Sequence, residues 1–293
     1  MENSKIEWTT HTFNPWIGCT KVSPGCLNCY AETLMAVRYG KVEWGTGKPR
    51  VRTAPDNWRK PRQWNKAAAG AAERPRVFCA SLADWLDDEV PIEWLRDLLS
   101  LIHATPNLDW LLLTKRPENW RDRMCDALKG LPVTNENRDW IAMVLAWLCE
   151  SGEDLSEHIE PAVPRNIWIG VSVEDQRRAE ERIELLQDIP CVVRFLSCEP
   201  LLELVTLVRG AETIEDERKL RLLVDWVICG GESGRGARIM KEAWALSLRD
   251  QCVWAGVPFH FKQWGGSDKK AAGRVLDGRT WDELPTPRVP EHA

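Results

Sequence analysis

From residue 76 onward the chain keeps a rhythm. Short apolar runs recur at 76–81, 109–115, 166–172, 192–197, 226–230 and 259–262, each ending in a polar residue or glycine. Between several of them lie stretches with apolar residues at helical spacing, notably Pro91–Ala104, Glu174–Leu186 and Lys241–Gly256. A strand buried on both faces reads as a continuous apolar run, and strands that alternate with helices pair in parallel. A lead-in strand within Thr12–Ile17 brings the count to about seven β/α units. The expected fold is therefore α/β: a partial TIM-like β/α barrel of parallel strands, with helical insertions and an N-terminal cysteine loop. The competing arrangement is an open, doubly wound sheet. One domain is expected over residues 1–265. Within it lie a basic, Trp-bearing loop at 41–70 and a helical insertion at 117–165, the latter holding a helix Asp139–Cys149 and an acidic linker Glu150–Glu160. A second interruption, 203–225, carries a charged helix. Residues 266–293 read as a polar extension on the surface.

Ahead of the first long strand stands a loop with Cys19, Cys26 and Cys29 spaced C-x6-C-x2-C, turned by Gly18, Pro24 and Gly25. Three sulfurs so close in sequence can reach one metal centre. A structural zinc takes four protein ligands, whereas iron–sulfur clusters are held by cysteine thiolates and can leave one iron open. Ten cysteines without a basic, then apolar, leader at MENSKIEW point to a reducing, cytoplasmic setting. Cys79, Cys125, Cys149, Cys191, Cys229 and Cys252 read as small buried hydrophobes. No stretch approaches the ~20 apolar residues of a membrane span. Net charge is −5, so any nucleic-acid contact has to be local.

In parallel β/α folds ligands gather at the carboxyl ends of the strands. Here those ends carry Ser81 and Asp84; Thr114, Lys115 and Arg116; Ser172, Glu174 and Asp175; Ser197, Cys198 and Glu199; Glu232 and Ser233; Lys262 and Gln263. Taken together with the cysteine loop, these polar ends outline one rim.

The cysteine set, Thr114-Lys115-Arg116, Ser197-Cys198-Glu199-Pro200 and Gly230-Gly231-Glu232-Ser233-Gly234 together resemble a phage-associated three-cysteine protein family of largely unassigned function. The resemblance runs from Trp8 through residues 273–283. That family in turn resembles the radical SAM superfamily, above all its spore photoproduct lyase branch. The usual spacing there is C-x3-C-x2-C with an aromatic before the last cysteine; here the first gap is six residues and Tyr30 follows Cys29. The resemblance implies a [4Fe–4S] cluster on Cys19, Cys26 and Cys29, with S-adenosyl-L-methionine on the open iron. It further implies a flavodoxin or ferredoxin type electron donor and a 5′-deoxyadenosyl radical that abstracts hydrogen from a substrate. By the same resemblance Lys115, Ser172 and Ser81 contact the carboxylate of S-adenosylmethionine; Glu174 is a candidate for its ribose or amino group. Glu199 and Glu232 are candidates on the substrate side. The lyase branch places a hydrogen-donor cysteine where this chain has Ala80, and Cys198 is the substitute candidate.

Between Lys48 and Lys66 stand seven basic residues and one acid, with Trp58 and Trp64 among them. Arg59, Lys60 and Arg62 can neutralise phosphates while the indoles stack on bases, so DNA or a nucleotide is a candidate substrate; joined to the resemblance, this implies for instance a modified thymine base in phage DNA. A solvated basic loop over the barrel mouth is the plainer reading of the same residues. The alternative function is a zinc-stabilised nucleic-acid-binding or accessory protein without catalysis, His11 completing a Cys3His site.

Overall fold

A computed structural model describes residues 1–151, 162–207, 220, 223–268 and 271–288. Seven strands form one parallel sheet: β1 (His11–Phe13), β4 (Arg76–Cys79), β5 (Asp109–Thr114), β6 (Ile167–Ser172), β7 (Val193–Cys198), β8 (Trp226–Gly230) and β9 (Phe259–Gln263). They pair strictly in chain order, and the sheet curls into a half-barrel flanked by helices. A doubly wound sheet reverses its strand order at a switch point; no reversal occurs here. β2 (Trp16–Ile17) and β3 (Val51–Arg52) form a separate antiparallel pair.

Side chains of successive strand residues point to opposite faces. On the concave face Phe78, Leu111, Trp168, Phe195, Trp226 and Ile228 meet Trp8 from the N-terminal segment. Trp8 lies 4.6 Å from Phe78 and edge-on to Trp226 at 6.2 Å. Gly170 leaves the space that the Phe195 ring fills, since a Cβ there would stand 2.3 Å from it. On the convex face Val77, Trp110, Leu112, Ile169, Leu196 and Val227 pack against the helices. These are α2 (Pro55–Ala67), α3 (Ile92–His103), α4 (Trp120–Leu128), α5 (Arg138–Glu150), α6 (Gln176–Gln187) and α7 (Glu242–Ala255). A short α1 (Tyr30–Glu32) continues as a π-helical stretch, Thr33–Arg38.

Three expectations are corrected. Residues 55–67 of the expected basic loop form helix α2. Pro55 sits at its first position, where a missing N–H costs nothing, but Pro61 lies inside it and interrupts the helical signal in the sequence. Trp58, Pro61 and Trp64 nevertheless share its buried face. The expected surface extension instead covers an edge: Leu276 and Trp281 are buried, the Phe261 N–H bonds the Trp281 carbonyl, and the Glu283 N–H bonds the Phe259 carbonyl. At the opposite edge Ser4 N–H reaches Thr10 O and Thr12 N–H reaches Met1 O. Both margins of the sheet therefore have hydrogen-bond partners, which satisfies groups an exposed edge strand leaves open. Among the described residues of 117–165, α4 stands ahead of the expected helix, which is α5, and both pack on α3. The linker after Ser151 lies mostly outside the described residues, as does the centre of 203–225. Among the expected buried cysteines, Cys79, Cys191, Cys229 and Cys252 are buried, but Cys125 is exposed and Cys149 half-buried.

Candidate functional site

The concave face changes character along each strand. Apolar residues at the amino ends give way at the carboxyl ends to Lys115, Ser172, Ser197 and Lys262. Ser172 and Ser197 face each other in register across β6 and β7. Above this rim opens a cavity of about 1070 Å³, with Trp8, Phe78 and Leu113 at its apolar end and Cys19, Cys26 and Cys29 on one wall. Of the residues expected at the site, the cavity unites the three cysteines with Ser81, Lys115, Ser172 and Glu199.

Local backbone geometry carries the cysteine loop to that wall. Gly18 adopts φ +109°, and a Cβ there would press on Val42 and Arg50 at 3.0 and 3.2 Å. Arg50, wholly buried, ties the long excursion together: its Nε meets Asp87 at 2.8 Å and its Nη2 meets Thr20 Oγ1 at 2.9 Å. Pro24–Cys26 make a single 3-10 turn, and Cys29 leads directly into α1. Burial pushes the Cys19 thiol up to about 12 against the pull of Arg116, and it raises Cys29 as well.

Arg116 links the sheet to the loop. Its Nη1 lies 3.4 Å from Cys19 Sγ and 3.1 Å from Asp84 Oδ2, while Nη2 donates to Thr20 O at 2.8 Å. Asp84 also accepts from Thr114 Oγ1 at 2.7 Å and Lys115 N–H at 2.9 Å, so one buried carboxylate fixes the whole end of β5. Lys115 Nζ then reaches Ser172 Oγ at 3.0 Å. Ser81 is held by Asn14 at 3.0 Å, and Tyr30 Oη donates to its carbonyl. Across the cavity Lys262 pairs with Glu199, whose other oxygen accepts from Ser197 Oγ at 3.4 Å.

Three expected site residues lie elsewhere. Glu174, with no exposed side-chain surface, sits beneath the cysteine loop: Oε2 pairs with Arg182 at 2.9 Å and Oε1 accepts from Gly25 N–H at 3.4 Å. Burial works to raise its pKa, but the charges of Arg182 and Lys115 prevail and hold it below the ordinary value. Glu232 clamps the same loop from β8. It accepts from Asn28 Nδ2 at 2.8 Å, from the Arg238 N–H at 2.8 Å and from Arg238 Nε at 2.9 Å, while Arg238 also reaches Pro24 O at 3.0 Å. Cys198 is wholly buried among convex-face residues and is absent from the cavity lining. The nucleic-acid candidates are also apart from the cavity. Trp64 is stacked on His11 at 4.3 Å and buried, and Trp58 packs edge-on to Phe13 at 5.4 Å under the Arg52 guanidinium. Both indoles are therefore packing residues, and only Arg59, Lys60 and Arg62 of that set face solvent.

His11, committed to Trp64 and accepting from Asn3 N–H at 3.3 Å, does not complete a Cys3His site. Among the described residues no three His, Cys, Asp or Glu side chains converge as ligands of one metal ion. Asn14, which holds Ser81, is the site residue that sequence reasoning did not single out; Asp84, Arg116 and Lys262 stand among the expected strand-end residues, but their bracing contacts are visible only in the fold. Arg116 adjoins Lys115 in the strand-end run, but its role depends on Cys19 arriving from 97 positions away.

No curated protein and no solved structure matches the chain. One family model does, over residues 3–285, and on that match the chain belongs to the family described as protein of unknown function (DUF5131).

Proposed function

We propose that the chain is a radical SAM-like enzyme whose Cys19, Cys26 and Cys29 hold a [4Fe–4S] cluster beside S-adenosylmethionine. The observation that carries this reading is the sharing of one cavity by three free thiols and the Lys115–Ser172 pair. The donor set suits such a cluster. Three thiolates are its natural ligands, and all three cysteines line the one cavity. Cys19, Cys26 and Cys29 would hold the cluster, and it would supply one-electron reducing chemistry, drawn from a flavodoxin or ferredoxin type donor, for cleavage of S-adenosylmethionine.

The chain's own residues do the positioning. Lys115 Nζ and Ser172 Oγ present a cation and a hydroxyl to the cavity, a combination suited to a carboxylate. Ser81, oriented by Asn14, adds a further hydroxyl on the same side. Arg116 places positive charge beside Cys19, where thiolate ligation concentrates negative charge. Glu174 and Glu232 fix the loop between Pro24 and Asn28 from two strands, so the three sulfurs are held by the sheet rather than by the loop alone. Trp8 and the N-terminal segment close the amino end of the half-barrel against water. The Glu199–Lys262 pair faces the remaining space, on the side away from Lys115, where a hydrogen-bearing substrate fits.

Anaerobic purification tests the reading. A brown protein with about four irons per chain is expected, with iron lost in Cys29→Ala. Dithionite and S-adenosylmethionine together should then give 5′-deoxyadenosine. A colourless protein binding one zinc overturns it.

A further inference from the structure

A second, shallower opening of about 230 Å³ lies outside the cysteine loop, between the π-helical stretch and the turn after β8. Arg38 stands in one wall and Arg235 in the other. Both are exposed, and among the described residues neither has a carboxylate partner. The nearby acids are already engaged, Glu32 with Lys21 at 2.7 Å and Glu232 with Arg238. The opening is continuous with the large cavity, because Tyr30, Leu34, Ser233 and Gly234 line both. At this junction Tyr30 is half exposed, 52%. Gly234 adopts φ +111° with open space where a Cβ would stand, so a ligand can lie directly on the backbone there.

Two exposed arginines lining one groove suit a phosphate, which Arg binds through paired N–H donors. A flat ring beside them, leading into a larger apolar-walled space, suits a base. We propose that the groove binds the phosphate of a nucleotide or nucleic-acid strand, with Arg38 and Arg235 as its contacts and the base directed past Tyr30 into the cavity. The inference rests on the cavity being the substrate site of the proposed enzyme, and it relocates the nucleic-acid contact from α2 to the rim. None of Arg59, Lys60 and Arg62 lines either opening.

The test uses the metal-free full chain with three probes: thymidine, thymidine 5′-monophosphate and a fluorescent oligothymidylate. Calorimetry reads the first two and anisotropy the third. Arg38→Gln with Arg235→Gln is expected to weaken phosphate-bearing probes about tenfold or more, leaving thymidine unchanged. For the oligomer, the slope of log affinity against log salt should flatten by about 1.4, the share of two single-strand phosphates. Binding of the monophosphate marks a free nucleotide as the source, and binding of the oligomer alone marks a nucleic-acid strand. Arg59→Gln with Arg62→Gln is the comparator and should change neither probe. Equal affinities for wild type and the Arg38/Arg235 variant overturn the proposal, as does wild-type failure to bind any phosphate-bearing probe, or equal loss in the comparator. Since no metal is present, iron content is read separately. Arginine-dependent binding by a chain that takes up no iron sinks the enzyme reading and leaves the groove standing.

Discussion

Replacing Glu174 with Gln separates two roles for that residue. A glutamate that touches a cofactor affects ligand affinity and leaves the fold alone; one that braces the cysteine loop does the reverse. Glu174 has no exposed side-chain surface and Arg182 only 6%. Removing one member of such a pair leaves the other charge buried, at a typical cost of about 3–5 kcal/mol. Glutamine retains an acceptor for Arg182, which also keeps its bond to Ser172 O at 2.8 Å, so about 3 kcal/mol is expected. At roughly 2 cal/mol/K of unfolding entropy per residue, a chain of this length loses about 1.6 °C per kcal/mol, or about 5 °C in all. Tryptophan fluorescence melts of the metal-free protein measure this, and hydrogen exchange at the Gly25 amide reports on the loop. Removing both charges, in Glu174→Gln with Arg182→Met, should recover at least about 1.5 kcal/mol of the summed single losses, because no unpaired charge remains. A melting point within about 1 °C of wild type for Glu174→Gln, combined with weakened binding of S-adenosylmethionine, refutes the bracing role.

Other outcomes follow from the packing. Gly170→Ala should cost about 1–3 kcal/mol in thermal unfolding, since its Cβ meets the fully buried Phe195 ring. Trp64→Ala should cost about 3–5 kcal/mol without altering oligothymidylate binding, because the indole is packed on His11. Burial, then the charge of Arg274, holds His260 down to about 4, against 6.5 for the free side chain. The unfolded chain therefore binds more protons between these values. Stability should be full above about pH 6.5 and fall by up to about 3 kcal/mol as pH drops toward 4, a dependence that His260→Gln flattens in melts at several pH values.

The barrel was legible because its strands are buried on both faces: the runs at 109–115, 166–172 and 226–230 became β5, β6 and β8 within a residue at either end. Helix α2 was not, because its signal is tertiary. Trp58 and Trp64 look like surface stacking groups beside so many arginines and lysines, until the sheet supplies the convex face they cover. The tail 276–283 was hidden for the same reason, its partner β9 being defined only by the fold. At the site, sequence marked Lys115 and Ser172 through the strand-end rule, and the structure joins them at 3.0 Å. Strand-end position did not separate Glu199, which faces the cavity, from Glu174 and Glu232, which turn to the cysteine loop. That choice depends on which neighbours arrive, Lys262 for the first and Arg182 and Arg238 for the others.

The sheet's two margins have a mechanical consequence. In a barrel closed by strand pairing, widening the lumen breaks a ladder of interstrand bonds. Here β1 and β9 are not partners, and each is zipped to a short piece of its own terminal segment. Strain at either margin is therefore borne by a few hydrogen bonds to a terminal segment, and the ladder between the seven strands is not drawn on.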